Sequence, residues 1–265
     1  MNGSATCPLP LVSCIMPTFN RRHFVPRAIE YFLRQDYPNR ELIIIDDGTD
    51  RVADLIPSDP KIRYFGLLQC ASTGAKRNLA CQHSTGTLIA HWDDDDWYAP
   101  WRLTYQVEQL LEAGADICGL DRVFFYAPKE DKVWEYAYPR DQRAWAYGAS
   151  LCYTRSFFET HPFADIRVGE DTRFVWADPR ARVAALKNFR FMVALVHGEN
   201  TSPKITADSR YLTRALGDVE ALIGNKDLPF YAALRPGPRL ERHSPNRPIA
   251  VRSSPRPRAS ATFYV

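Results

Sequence analysis

The sequence predicts an α/β protein whose mostly parallel sheet is covered by helices on both faces. Two observations lead there. Short apolar runs, LVSCIM (11–16), ELIIID (41–46), TLIAHW (87–92) and ADICGL (115–120), read as strands buried on both sides. Segments with helical spacing separate them, and the alternation holds through residue 120.

The elements follow in order. LVSCIM is closed by Pro17, and HFVPRAIEYFLRQ is the first helix, with Pro26 suited to its first turn and Val25, Ile29, Phe32 and Leu33 on one face. ELIIID ends in DDG, and KIRYFG (61–66) is the next strand. GAKRNLACQHS (74–84) is helical, and TLIAHW runs straight into Asp93, Asp94, Asp95 and Asp96. APWRLTYQVEQLLEAG is the clearest helix: Leu103, Val107, Leu110 and Leu111 share a face, and Gly114 ends it. Beyond residue 120 the pattern is less regular. An aromatic-rich stretch from Phe124 to Tyr147 precedes a strand ASLCYT, a helix from Ser156, a strand FRFMVALVH and a helix carrying Leu212, Leu216, Val219 and Ile223. No internal repeat is found. These elements suggest a domain over 1–225, with a ligand-binding half to about 120 and a second half over 121–225. A Pro/Arg-rich tail over 226–265 reads as extended or disordered.

Composition narrows the function. At 265 residues, 45% hydrophobic and 25% charged, the chain can bury a sizeable core. A net charge of +3 is too small to argue for nucleic acid, and none is expected as a partner. From Phe230 onward Arg and Pro are frequent and Glu241 is the only acid, so peripheral contact with an anionic membrane through this tail is one reading. Six cysteines show no CxxC pair and no metal-type spacing, which predicts a reduced, cytoplasmic protein. The prolines that interrupt MNGSATCPLPLVSCIMP argue against a signal peptide, and no run approaches the length of a membrane helix.

The chemistry lies at the strand ends. In an open parallel sheet ligands bind at the carboxyl edge, and here three ends carry PTFNR, DDGTD and DDDDWY. The first strand–helix turn contains no glycine, so it is not a dinucleotide loop. Aspartates repel phosphate unless a divalent cation lies between them. Mg²⁺ and Mn²⁺ prefer hard oxygen ligands and commonly share one or two carboxylates with substrate phosphates. DDDDWY therefore reads either as a metal-diphosphate site or as a solvated loop that caps the next helix. DDGTD reads either as part of that site or as an Asx turn.

The segments VSCIMPTFNRR, ELIIIDDGTD, GAKRNLA, GTLIAHWDDDDWY and GEDTRFVW occur in the order and at the spacing of the family 2 inverting glycosyltransferases, and the chain resembles that family from residue 11 to about 203. The resemblance implies a GT-A fold (a Rossmann-like, mostly parallel sheet flanked by helices), Mn²⁺ or Mg²⁺, and a nucleotide-diphospho-sugar donor, UDP-linked. The acceptor it leaves open: glycan, lipid-linked glycan, natural product or peptide.

It also implies roles for individual positions. Pro17, Thr18 and Phe19 match the base-pocket segment, where Phe19 either stacks on the base or belongs to the core. Asp47 matches the acid that accepts the uracil N3–H. Arg77 meets the base or phosphates, or is only a helix-face charge. Asp93 and Asp95 match the DxD pair, with Asp95 the metal ligand; Asp94 reaches the ribose and Asp96 caps the following helix. His197, in LVHGENTS, would complete the metal site, or is structural. Asp171 matches the general base and Glu170 an orienting or acceptor-binding group; alternatively both acids only begin a helix. Trp134, Tyr136, Trp145 and Tyr147 either wall the acceptor site or pack in the core. A sugar nucleotidyltransferase and a non-catalytic nucleotide-sugar binder of the same fold are the competing functions.

Overall fold

Strand β1 (Val12–Thr18) is buried along almost its whole length, as an uninterrupted apolar run must be. A computed structural model describes residues 8–139, 141–202, 204, 206 and 208–235. After β1 come helix α1 (Val25–Leu33), strands β2 (Arg40–Asp46) and β3 (Ile62–Gly66), helix α2 (Thr73–His83) and strand β4 (Leu88–His91). Strand β5 (Trp97–Tyr98), helix α3 (Arg102–Glu112) and strands β6 (Ile117–Gly119), β7 (Arg122–Ala127) and β8 (Lys132–Ala137) follow. The chain continues through β9 (Cys152–Thr154), α4 (Arg155–Thr160), α5 (Glu170–Val175), β10 (Val183–Ala185), β11 (Met192–Leu195), β12 (Tyr211–Arg214) and α6 (Leu216–Ala233).

The central sheet has seven strands in the order β10-β6-β9-β4-β1-β2-β3. Its pairings are parallel except at β9, which runs antiparallel to both β4 and β6. The mixed α/β class with a mostly parallel sheet is therefore as expected. Pro17 lies in β1, but β4 pairs with β1 only through Ile15, so the missing N–H falls beyond that ladder. Helix α3 packs an unusual strut against the sheet. Arg102, fully buried, donates Nη2–H to the carbonyls of His91 and Ala149, and Gln106 donates to that of Ser150. These bonds tie the end of β4 to the segment before β9.

Several expectations need correction. The aromatic-rich stretch forms a β7–β8 hairpin within a second sheet, ordered β12-β8-β7-β11-β5, which the sequence reading did not foresee. Leu212 is not helical: Tyr211–Arg214 pairs with β8, where Tyr211 packs against Tyr136 at 5.0 Å, and the helix begins only at Leu216. Leu33 and Leu111 are exposed at the edges of their helices: the buried stripe of α1 runs through Ala28, Ile29, Tyr31 and Phe32, and that of α3 takes in Arg102 and Gln106. In the ASLCYT segment a tight 3-10 turn at Gly148–Ser150 precedes the strand, which is only Cys152–Thr154. The expected boundary at 225 also moves. Helix α6, broken at Gly224, continues to Ala233, and the compact unit extends to Arg235. Asp227 anchors it by accepting from Trp97 Nε1 (2.8 Å) and pairing with Arg34 (2.6 Å).

Cys14, Cys81, Cys118 and Cys152 are buried free thiols and Cys70 is exposed; Cys7 lies outside the described residues. So does the basic tail from 236 onward, with the membrane contact expected of it. Among the described residues no helix is long and apolar enough to cross a membrane.

Candidate functional site

A cleft of about 910 Å³ opens over the carboxyl ends of β1 and β4 and faces the second sheet. Pro17, Thr18, Phe19, Arg77 and Asp93 through Asp96 line one side, and Glu170 and Asp171 another. Tyr136, Trp145 and Tyr147 line it with Phe125 and Tyr211, whereas Trp134 is buried away from it. Asp47 and His197 sit behind the wall, each bonded to a residue that lines the cleft.

The four aspartates alternate. Asp93 and Asp95 are partly exposed, while Asp94 and Asp96 turn inward, as period-two backbone requires. Asp94 accepts from Thr18 Oγ1 at 2.6 Å and lies 3.8 Å from the Arg21 guanidinium. Burial, and then the charge of Asp95, pushes its carboxyl up to about 8. Asp96 accepts the Leu195 N–H at 2.9 Å, so it caps the end of β11 and not helix α3, whose N-cap is Trp101. That corrects the helix-cap expectation: β11 comes down beside the acidic loop and claims the carboxylate first. Burial raises the Asp96 and Asp93 carboxyls as well. The cluster is thus an electrostatically loaded site.

Asp95 Oδ2 lies 2.9 Å from His197 Nε2 and 3.4 Å from Asn200 Nδ2. His197 Nδ1 accepts the Glu199 N–H, which leaves the proton on Nε2 to be donated to Asp95. Its ring stacks on Phe24 at 4.9 Å. The carboxylate oxygen of Asp95 suits Mn²⁺ or Mg²⁺, whereas the imidazole nitrogen is a softer donor and becomes a ligand only once Nε2 gives up its proton. Among the described residues no cluster of three His, Cys, Asp or Glu side chains converges to hold a cation. A cation here would therefore draw further ligands from bound phosphate, the usual arrangement for these ions.

At the other end of the acidic loop the buried Lys76 joins two strand ends. Its Nζ donates to Asp47 Oδ1 (2.7 Å) and to the Thr18 carbonyl (3.2 Å). Asp47 Oδ2 accepts the Ala71 N–H at 2.8 Å. Against burial, these partners hold the Asp47 carboxyl below its ordinary range. Phe19 is not a core residue: its ring is 44% exposed at the cleft, with Lys76 Nζ 5.9 Å from its centroid. Lys76 was missed from sequence, although it stands beside Arg77 in GAKRN. A lysine in a helix reads as a solvated charge until its carboxylate partner is seen.

Arg77 is no surface charge either. It is 4% exposed, and it bridges Glu170 Oε1 (3.2 Å) and Asp93 Oδ1 (3.3 Å). The two carboxylates hold it firmly protonated despite burial. Glu170, also buried, has its carboxyl raised by desolvation. Both acids begin helix α5, which Gly169 enters at a φ of 84°, a conformation costly for any other residue. Asp171 Oδ1 accepts the Thr172 N–H at 2.7 Å. Its Oδ2 lies against Gly148, where an added Cβ would stand only 2.0 Å away. His91 in turn donates Nδ1–H to the Gly148 carbonyl at 2.7 Å. The sequence reading missed Gly148 and His91, because nothing local marks a glycine that backs a residue 23 positions later.

Several known proteins resemble the chain. WcaA of Escherichia coli K12, a glycosyl transferase by name assigned to colanic acid biosynthesis, is 40% identical over 100 residues, 36% of each chain. WfgD of Escherichia coli, a UDP-Glc:α-D-GlcNAc-diphosphoundecaprenol β-1,3-glucosyltransferase, is 32% identical over 105 residues, 38% of this chain and 42% of that one. The matched region is thus less than half the length of these relatives. Among solved structures, S. aureus TarS 1–349 in complex with UDP-GlcNAc superposes with a TM-score of 0.57 at 15% identity, covering 72% of this chain and 60% of TarS. The mannosyltransferase PcManGT of Pyrobaculum calidifontis, in complex with GDP-Man and Mn²⁺, gives 0.57 at 17% identity over 84% and 73%. At such identities the likeness is one of fold, and the fold is GT-A. The model of the family "Glycosyl transferase family 2" matches residues 13–168, ending just before Glu170 and Asp171. With more than half of its length so matched, this chain belongs to glycosyl transferase family 2.

Proposed function

We propose that the protein is an inverting, metal-dependent glycosyltransferase that moves a sugar from a UDP-sugar to an acceptor hydroxyl. The observation that carries this reading is a single cleft lined by the paired Asp95 and by Asp171, with the exposed Phe19 ring at its nucleotide end. Asp95 would hold the cation, joined by His197 when its Nε2 loses the proton it now donates to Asp95, and the bound cation would supply Lewis-acid stabilisation of the departing diphosphate. Phe19 offers a face to the base, and Thr18 and Asp94 flank the position of the ribose. Asp171, half-buried and facing the cleft, takes the proton of the acceptor hydroxyl. The acceptor oxygen then forms a bond to the anomeric carbon as the bond from that carbon to the phosphate oxygen breaks. The electron pair leaves on the nucleoside diphosphate, and this single displacement inverts the centre.

The neighbours do not choose the base, since TarS was solved with UDP-GlcNAc and PcManGT with GDP-Man. The UDP assignment rests on Asp47 and Phe19, with the UDP-Glc named for WfgD as support. In this structure Asp47 already serves Lys76 and Ala71, so base recognition uses the remaining lone pairs of its carboxylate or acts through Lys76. Either route predicts the same direction. Asp47→Ala should weaken UDP binding by about 1–3 kcal/mol, the usual cost of losing a charged hydrogen bond. It should also lower the melting temperature, because Lys76 is left buried without its counter-ion. Unchanged UDP affinity by calorimetry would move the base pocket elsewhere.

The decisive experiment is a panel of nucleotide sugars scored for nucleoside diphosphate release, with product stereochemistry read by NMR. Retention of configuration, or preference for an ADP-sugar, would overturn the proposal. For the cation, UDP should bind at least about tenfold more tightly in Mn²⁺ or Mg²⁺ than in chelator, a difference of about 1.4 kcal/mol. Asp95→Asn should abolish that difference, and equal binding of wild type in both conditions would sink the metal assignment.

A further inference from the structure

We infer that Phe230, on helix α6, is a positioning residue for the cation site, holding the ring of His197 through Phe24. The inference rests on the metal-dependent reading above and gives a task to a helix none of whose residues lines the cleft. Helix α6 is broken at Gly224, and its second half carries Asp227, Phe230 and Tyr231 at the spacing that places them on one face. The outer two fasten that face. Asp227, buried, accepts from Trp97 Nε1 at 2.8 Å and pairs with Arg34 at 2.6 Å, and Trp97 directly follows the acidic run. The buried Tyr231 hydroxyl lies 2.9 Å from that of Tyr31 on helix α1. Phe230 stands between these two fastenings. A crevice with no room for water lies between this face and Asp94, Asp95 and Asp96.

From Phe230 a chain of rings leads to the histidine. Its edge-to-face contact with Phe24 spans 6.2 Å between centroids at 76°. Phe230 also stacks on His23 at 5.2 Å, and the Arg27 guanidinium lies 5.2 Å from its centroid. Phe24, buried at the start of α1, meets His23 at 5.3 Å and stacks on His197 at 4.9 Å with 29° between the planes. Aromatic pairs have preferred angles, so a fixed ring restrains the tilt of the next. The other holds on His197 are made at its ring nitrogens, Nε2 to Asp95 and Nδ1 to the Glu199 N–H at 3.3 Å. Should Asp95 and His197 share a cation, their direct bond is given up. The imidazole is then held by the long Glu199 contact and the face of Phe24. Both donors are thus braced by one helical face, Asp95 through Trp97 and Asp227, His197 through Phe24 and Phe230. Core packing alone would ask only for apolar bulk at Phe230, whereas positioning asks for a planar ring.

The test first measures UDP affinity by calorimetry in Mn²⁺ and in chelator. Equal values remove the metal reading, and the inference falls with it. Given a difference, the Mn²⁺ affinity of the UDP complex is read by EPR titration, and coupling to an imidazole nitrogen by electron spin echo modulation. Wild type should show that coupling, and His197→Ala should lose it. Removing a group that orients a ligating histidine costs about 10–100-fold in metal affinity, so Phe230→Ala should lose about tenfold, together with most of the nitrogen modulation. Its UDP affinity in chelator should match that of wild type. Phe230→Tyr, which keeps the ring, should retain Mn²⁺ affinity, and Phe230→Leu, which keeps only bulk, should not. In a His197→Ala background Phe230→Ala should cost nothing further, because its effect runs through the histidine. Should Phe230→Ala fail to fold, the tyrosine and leucine variants still decide. Three results overturn the inference: no nitrogen coupling in wild type, wild-type Mn²⁺ affinity in Phe230→Leu, or an undiminished loss in the His197→Ala background.

Discussion

Asp171→Asn should reduce acceptor-dependent transfer by at least about 10²-fold, the lower end of what a positioned general base contributes. Asparagine keeps the size of the side chain and can still accept the Thr172 N–H that Asp171 accepts now. It cannot take up a proton from the attacking hydroxyl. UDP affinity should hardly change, because Phe19 and Asp47 stand on other strand ends and Asp95 on the β4 loop. The competing reading, that Asp171 only begins helix α5, predicts a different result. Asparagine suits a helix start about as well as aspartate, so transfer would survive. Transfer rate and UDP affinity measured on the same variant separate the two. If transfer is retained, Glu170 becomes the next candidate, although its salt bridge to Arg77 leaves it less free to move a proton.

What the sequence disclosed depended on whether a feature is local. Strands β1, β2 and β4 are continuous apolar runs, and the ends of β2 and β4 carry acids that stand out against them, so both fold class and acidic loop were readable. The alternation of Asp93 and Asp95 against Asp94 and Asp96 follows from extended backbone and needed no tertiary information. The pairing of Asp95 with His197 spans 102 residues and could enter only through family resemblance. The helix cap assigned to Asp96 failed because β11, far along the chain, supplies the N–H that it accepts. Lys76 and Arg77 show the same limit from the other side. Helix α2 has charged residues on its buried face, so its periodicity is blurred, and the sequence pattern gave no sign that both are buried against carboxylates. The second sheet escaped notice because its strands are short and are drawn from four separate segments of the chain.

Gly148→Ala should lower transfer by about 10²-fold without removing any group that does chemistry. The argument is steric. A Cβ at Gly148 would stand 2.0 Å from Asp171 Oδ2 and 2.8 Å from its Cγ, far inside contact distance. Gly148 has little freedom to retreat. Its carbonyl accepts from His91 Nδ1, and Arg102 holds the adjacent Ala149 carbonyl from beneath. Burial keeps the His91 imidazole neutral, so that bond persists across the working pH range. The carboxylate must therefore move, and a displacement of about 1 Å at a catalytic group can cost about 10²-fold in rate. Gly148 does not line the cleft, and Phe19, Asp47 and Asp95, proposed above to bind the donor, lie on other elements, so UDP affinity and its metal dependence should be preserved. A fall in kcat at unchanged UDP affinity would identify Gly148 as the backing that sets the position of Asp171. Wild-type kcat in a folded Gly148→Ala variant would mean that Asp171 tolerates displacement. That outcome, set beside a fully active Asp171→Asn, would take the base away from Asp171 and turn the test to Glu170.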